Sequence, residues 1–138
     1  MLARPKEMRT SQMSSVGSVE SGMEIYLKNS YACLKSVLLN NDDVKCILFI
    51  DFTLPDNWHS RFNAASVQIQ YVEFGRYQIS DKFDWGIVQY RYDVINYLCN
   101  MMDDEDEVIM LDTDVVCVGS LKDVFSEIKY RACFYDVQ

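Results

Sequence analysis

The sequence predicts an α/β domain in which helices flank a mostly parallel sheet. Two observations carry this prediction: segments with helical apolar spacing alternate along the chain with short, continuous apolar runs. Such runs are typical of strands covered on both faces, and their alternation with helices favours parallel pairing. The chain has 138 residues, 49% of them hydrophobic and 25% charged, which suits a single globular domain with its own core.

The first elements follow a polar beginning. Residues 1–22 are rich in serine, so we predict a loosely structured leader there and assign residues 23–138 to the domain. A helix is predicted to end at Asn40 and Asn41, because apolar residues before this point recur at helical spacing. Those residues are Leu27, Tyr31, Leu34 and Leu38. The run CILFI at 46–50 then predicts a buried strand.

The next elements alternate in the same way. Pro55 is predicted to begin a short helix that ends near Ala65. VQIQY at 67–71 alternates with period two and predicts a strand with Val67, Ile69 and Tyr71 on one face. A long amphipathic helix is predicted from a third set of apolar positions. These are Trp85, Val88, Tyr92, Ile95, Cys99 and Met102.

The last part of the chain follows the acidic loop 103–107, which is predicted to end that helix. VIML at 108–111 predicts a further buried strand, 121–128 a helix and YRACFYD at 130–136 a final strand. The chain ends two residues after Asp136, so we interpret it as the front part of a larger domain.

Charge and composition exclude several classes of function. The net charge is −8 and the basic residues are scattered singly, which argues against a nucleic-acid partner. No run approaches the roughly 20 apolar residues of a membrane span, and no signal peptide precedes the domain, so we expect a cytoplasmic protein. The five cysteines form no CxxC pair, so neither a zinc site nor a complete disulfide framework is indicated.

Two aspartates, Asp112 and Asp114, stand out by their position. Acidic residues make up 21 of 138, so an acidic pair spaced by one residue should arise about three times by chance. This pair, however, directly follows the predicted strand 108–111, and ligand crevices lie at the carboxyl ends of strands in open α/β sheets. Two carboxylates there suit Mg²⁺ or Mn²⁺ with a bound diphosphate. The alternative is that they only end a strand and cap the following helix.

The segments QYRYDVINYL, VIMLDTDVVCVGSLKDVF and YRACFYD together resemble glycosyltransferase family 8 and its relatives, the retaining enzymes of the GT-A fold. The resemblance implies a GT-A-like nucleotide-diphospho-sugar transferase domain, of which this chain holds the N-terminal part. It also implies transfer of a hexose, with retention of configuration, from a nucleotide sugar, and a UDP-sugar is expected. The acceptor, whether glycan, protein or lipid, stays open.

The resemblance also implies roles for individual residues. Asp112 and Asp114 would hold the divalent cation, and the donor-binding residues would be Arg91, Asp112, Thr113 and Asp114. An arginine beside phosphate oxygens adds a fixed positive fork, and the metal neutralises the charge that grows on the leaving nucleoside diphosphate. No residue qualifies as a catalytic base.

Two alternatives stay open. A phosphatase of the haloacid dehalogenase type also places Asp-x-Asp after an apolar strand, although that motif normally lies on the first strand of its domain. A non-catalytic remnant or interaction module is the other possibility, because no apolar strand precedes Leu27.

Overall fold

The computed structural model describes residues 2–3, 22–74 and 90–128 of the chain. The described elements are β1 (Leu2–Ala3), α1 (Gly22–Asn40), β2 (Ile47–Ile50), α2 (Asp56–Ala64), β3 (Gln68–Tyr71), α3 (Tyr90–Met101) and α4 (Lys122–Ile128). The predicted helices around 27–40, 55–65 and 121–128 are confirmed. The predicted final strand at 130–136 lies outside the described residues, as does Cys133.

The three strands form one sheet in the order β1-β2-β3, and both pairings are parallel. Ile47 pairs with Gln68 and Ile50 with Tyr71, so the strands predicted at 46–50 and 67–71 are confirmed within one residue. Leu2 and Ala3, which belong to the predicted leader, pair with Phe49 and Ile50 at the other edge of β2. β2 is thus the central strand of the described sheet.

The connection from β2 to β3 is made by α2. Pro55 precedes the helix with φ −58°, a value that suits entry into a helix. Beyond the helix, Ser66 adopts φ 62°, a left-handed conformation that turns the chain towards β3. Val67 N–H then donates to the carbonyl of Phe62 at 2.9 Å. This compact crossover brings α2 onto the face of the sheet that α1 also covers.

The main core lies between this face of the sheet and the helices α1 and α2. Leu48 and Ile50 of β2 are fully buried there. Trp58 and Phe62 supply the aromatic part, with ring centroids 5.8 Å apart. The remaining buried hydrophobic members are Leu27, Cys33, Leu34, Val37, Cys46, Leu54 and Val67.

The opposite face of the sheet packs on α3, in an orientation that differs from the prediction. Val94 is only 1% exposed and packs with Phe49 and Phe74, whereas Tyr92 is 53% and Ile95 43% exposed. The predicted apolar stripe is therefore wrong at Tyr92, Ile95 and Cys99, and its members Trp85 and Val88 lie outside the described residues. The helix carries a second apolar stripe, Val94, Tyr97 and Leu98, and the contact with Phe49 selects that one.

The predicted buried strand at 108–111 is also not found. The structure assigns no strand to these residues, and both Val108 and Met110 are exposed. A cavity of about 740 Å³ is lined by residues 108–111 and by Ile47 and Phe49, so this segment faces β2 across open space. Without a neighbouring ladder, its apolar side chains are buried only on one side.

Tyr71 also departs from the prediction. It is 51% exposed, whereas Val67, on the same predicted face, is 5% exposed. Tyr71 is the last residue of β3. Among the described residues, no helix combines the length and apolar content needed to cross a bilayer.

Candidate functional site

Asp112 and Asp114 lie on an irregular segment that turns at residues 113–114 and whose residues alternate in exposure. Ile109, Leu111, Thr113, Val115 and Cys117 are half-buried, whereas Val108, Met110, Asp112, Asp114 and Val116 are exposed. The two carboxylates therefore project from the outer side of the segment, and Thr113 turns inward between them.

Arg91 reaches this pair from the first turn of α3. Its guanidinium donates to Asp112 Oδ1 at 2.5 Å, and the two side chains are 42% and 55% exposed. Burial lowers the pKa of Arg91, but the Asp112 carboxylate outweighs burial and raises the pKa overall. The sequence placed Arg91 and the aspartates in one site, and the structure brings Arg91 and Asp112 into contact.

The other side of the segment is held by α1. The Cys33 thiol donates to the carbonyl of Asp112 at 3.6 Å, across 79 residues of sequence. The Thr113 side chain faces the Tyr26 phenol and lowers the pKa of that phenol. Thr113, which the resemblance assigned to donor binding, thus directs its side chain to α1, away from the two exposed carboxylates.

Three side chains at the C-terminal end of α1 and just beyond it bind backbone groups of residues 117–121, which follow the aspartates. Ser36 Oγ accepts the N–H of Cys117 at 2.8 Å, and Asn40 Nδ2 donates to the carbonyl of Cys117 at 3.0 Å. Asn41 is 7% exposed and accepts the N–H of Leu121 at 2.7 Å. Side chains of α1 therefore supply hydrogen bonds that a neighbouring strand would otherwise provide.

Tyr26 has the most perturbed environment near the aspartates. Burial raises the pKa of its phenol above the usual range, and the charges of Tyr90, Asp112 and Asp114 raise it further. The hydrogen bond with Thr113 lowers this pKa only in part. The phenol is consequently neutral at physiological pH. It adds no third negative charge beside the carboxylates.

The cysteines near the site behave as buried thiols. Burial raises the pKa of Cys33 to about 11, and burial also raises the pKa of Cys46. A thiol with such a pKa is protonated near pH 7 and is a poor nucleophile or metal ligand. Cys33 and Cys46 are buried in the core, whereas Cys99 is exposed.

The donor set fits Mg²⁺ or Mn²⁺ that is completed by water and substrate. These cations take carboxylate oxygens, commonly one or two from the protein, and leave other positions to phosphates. Within the described residues, no group of three or more His, Cys, Asp or Glu side chains could hold a metal by itself. Asp112 and Asp114 would therefore bind such an ion as an open pair.

Sequence reasoning missed the contribution of α1. Tyr26, Cys33 and Ser36 lie roughly 80 residues before their partners, and no local pattern marks them as neighbours of the aspartates. The sequence predicts Asn41 as a residue that ends the helix. Its hydrogen bonds to the segment 119–121 depend on tertiary contacts, which no local pattern indicates.

Comparison of the chain with protein-family models, with curated proteins and with solved structures finds no match.

Proposed function

We propose that this chain is the donor-binding part of a metal-dependent glycosyltransferase that transfers a hexose from a nucleotide sugar, with a UDP-sugar as the favoured donor. The observation that carries the proposal is the ion pair between Arg91 and Asp112, with Asp114 exposed on the same side of the segment. Two carboxylates with an arginine beside them supply both metal ligands and a phosphate-binding fork. The resemblance to retaining GT-A enzymes adds retention of configuration.

The residues of the site have distinct parts in this proposal. Asp112 and Asp114 would hold Mn²⁺ or Mg²⁺, and the ion would supply neutralisation of the negative charge on a leaving diphosphate. Arg91 contacts Asp112 before a donor arrives and is close enough to contact a diphosphate held beside that carboxylate. Its planar guanidinium can bind two phosphate oxygens at once. The acceptor would approach from the sugar side of the donor.

A thermal-stability measurement tests this function. In the presence of Mn²⁺ and UDP at about 100 times their apparent dissociation constant, the chain should gain about 2.7 kcal/mol, or roughly 8 to 15 °C in melting temperature. Asp112→Asn and Asp114→Asn should abolish this shift, because an amide replaces the charged ligand that the cation requires.

The matched control is Asp104→Asn, which removes one charge from the exposed loop after α3 and should keep the full shift. A shift of equal size in the Asp112 and Asp114 variants would contradict the proposed site. No shift in the wild-type chain would contradict donor binding and favour a non-catalytic interaction module.

Arg91 provides a second test, because it competes with a metal for Asp112 before a nucleotide binds. Arg91→Met should strengthen the binding of Mn²⁺ alone up to about five-fold, since exposed ion pairs contribute about 0.2 to 1 kcal/mol. The same change should weaken the binding of UDP in the presence of Mn²⁺. Isothermal titration calorimetry measures both affinities.

Arg61→Met is the control for net charge, because Arg61 lies over the ring of Trp58 and has no contact with the aspartates among its described interactions. It should leave both affinities unchanged. A parallel loss of Mn²⁺ and UDP affinity in Arg91→Met would instead show that Arg91 stabilises the carboxylate arrangement and does not compete with the metal.

A further inference from the structure

The cavity between β2 and residues 108–111 has the boundaries that one more strand requires. β2 borders it on one side through Ile47 and Phe49, and the segment 108–111 borders it on the other side. Helices on both faces of the sheet supply further apolar walls, which include Leu34 and Val37 of α1 and Val94 and Leu98 of α3. A strand in this cavity would therefore lie at an edge of β2 and be covered on both faces.

One edge of β2 is open to such a strand. β3 pairs with the whole length of β2, from Ile47 to Ile50, so a further strand must add at the opposite edge. Within the described residues, that edge pairs only with Leu2 and Ala3, in parallel orientation. β1 is two residues long and β2 is four, so the same edge can accept a longer parallel strand in place of β1.

The walls of the cavity specify the side chains of that strand. Strands that are covered on both faces carry continuous apolar runs, whereas strands with one solvent face alternate. Apolar side chains of α1 and α3 meet the two faces of the cavity. The strand that fits is therefore apolar at successive positions.

Charged side chains collect where β2 and the segment 108–111 begin. Four acidic residues line the cavity there: Asp43, which precedes β2, and Glu105, Asp106 and Glu107, which precede the segment. The basic residues among the described lining are two, Lys45 and Lys122. A strand parallel to β2 enters with its N-terminal end at this place, so basic residues before its apolar run would meet an excess of negative charge.

We propose that this cavity is a docking site for an extended peptide of another protein, which adds to β2 as a parallel strand. The peptide carries a continuous apolar run of about four residues, the length of β2, with basic residues before it. Main-chain hydrogen bonds supply affinity, and the apolar and basic side chains supply selectivity. Docking at this site goes beyond donor binding and does not require a metal at the aspartate pair.

The probe is a fluorescein-labelled synthetic peptide in which two lysines precede a run of valine and isoleucine. Fluorescence anisotropy with the full chain should show saturable one-to-one binding. A peptide with proline in the middle of the run should bind about ten-fold more weakly, because proline cannot donate a hydrogen bond to the ladder. Glutamates in place of the lysines should also weaken binding about ten-fold, through repulsion by the acidic residues.

Variants of the chain test where the peptide binds. Ile109→Glu places a charge on a wall of the cavity and should abolish binding of the lysine peptide. Val118→Glu is the matched control, because Val118 is 90% exposed and is not among the described lining residues, so its affinity should stay unchanged. Melting temperatures show whether each variant is folded.

Glu105→Lys tests the charge at the entrance without disturbing the core, because Glu105 is exposed. This change should reduce the preference for the lysine peptide over the glutamate peptide several-fold, since it replaces an attractive charge with a repulsive one. Its readout stays informative even if Ile109→Glu does not fold.

Five results would overturn this docking site. They are no binding of the lysine peptide, equal binding of the proline peptide, equal affinity in folded Ile109→Glu and Val118→Glu, and an unchanged charge preference in Glu105→Lys. The fifth is a stable dimer of the wild-type chain that the peptide does not dissociate, which would assign the cavity to a second copy of this chain.

Discussion

Replacing Phe62 with alanine should lower the free energy of unfolding by about 3 to 5 kcal/mol, the largest effect expected for a single substitution here. Phe62 is fully buried, and its ring lies 5.7 Å from that of Tyr31 and 5.8 Å from that of Trp58. Alanine would leave a cavity between α1 and α2 that these large rings cannot fill. Urea unfolding followed by tryptophan fluorescence measures the change.

Leu39→Ala is the control for this measurement, because Leu39 is also an apolar helix residue but is 73% exposed. Its effect should stay within about 0.5 kcal/mol, as for surface substitutions in general. A loss below about 1 kcal/mol in Phe62→Ala would contradict the packing of α2 against α1.

Asn41→Ala should lower the free energy of unfolding by about 2 to 3 kcal/mol, the second largest effect. Asn41 joins two segments: its Nδ2 donates to the carbonyl of Val37 at 3.0 Å, and its Oδ1 accepts the N–H of Leu121 at 2.7 Å. Alanine leaves these backbone groups without their side-chain partner in a half-buried place. The same urea titration measures this loss.

Asn40→Ala is the matched control, because Asn40 makes comparable bonds to Ser36 and Cys117 from an exposed position. Water can replace an exposed side-chain partner, so the loss should be below about 1 kcal/mol. Equal losses in the two variants would show that the burial of Asn41 does not increase the contribution of its hydrogen bonds to stability.

The sequence predicted the helices and the strands β2 and β3, because each carries a strong local pattern of apolar residues. The prediction was wrong where two apolar stripes of the same helix fit the sequence pattern equally well. In α3, Tyr92 and Ile95 form as regular an apolar stripe as Val94 and Tyr97, and only the contact with Phe49 decides between them. Such a choice depends on tertiary packing, which a single sequence does not display.

The prediction of a buried strand at 108–111 was wrong for a related reason. A short apolar run predicts burial on both sides but does not specify a neighbouring strand. In the structure this run faces β2 across a cavity, and hydrogen bonds to the following residues come from side chains such as Ser36 and Asn41. The apolar run therefore predicted burial correctly only for the side chains on the inner side of the segment.

The candidate site was predictable in part. The position of Asp112 and Asp114 after an apolar run distinguishes them from other acidic pairs, and the resemblance assigns Arg91 to the same site, where it contacts Asp112. The position of Tyr26 near the site was not predicted, because Thr113 is distant from it in sequence. No pattern around Tyr26 indicates a role for its hydroxyl group. Helix periodicity alone presents it as an ordinary half-buried aromatic residue.

The most direct test of the central claim is to locate bound Mn²⁺ by paramagnetic broadening of backbone amide signals in the full chain. The proposed site predicts the strongest broadening at Asp112–Asp114, with weaker effects at Arg91 and Tyr26, and its loss in Asp112→Asn. Adding UDP should strengthen the effect at low metal concentration. Broadening centred on the exposed acidic loop 103–107, unchanged in Asp112→Asn, would contradict a metal site at these aspartates.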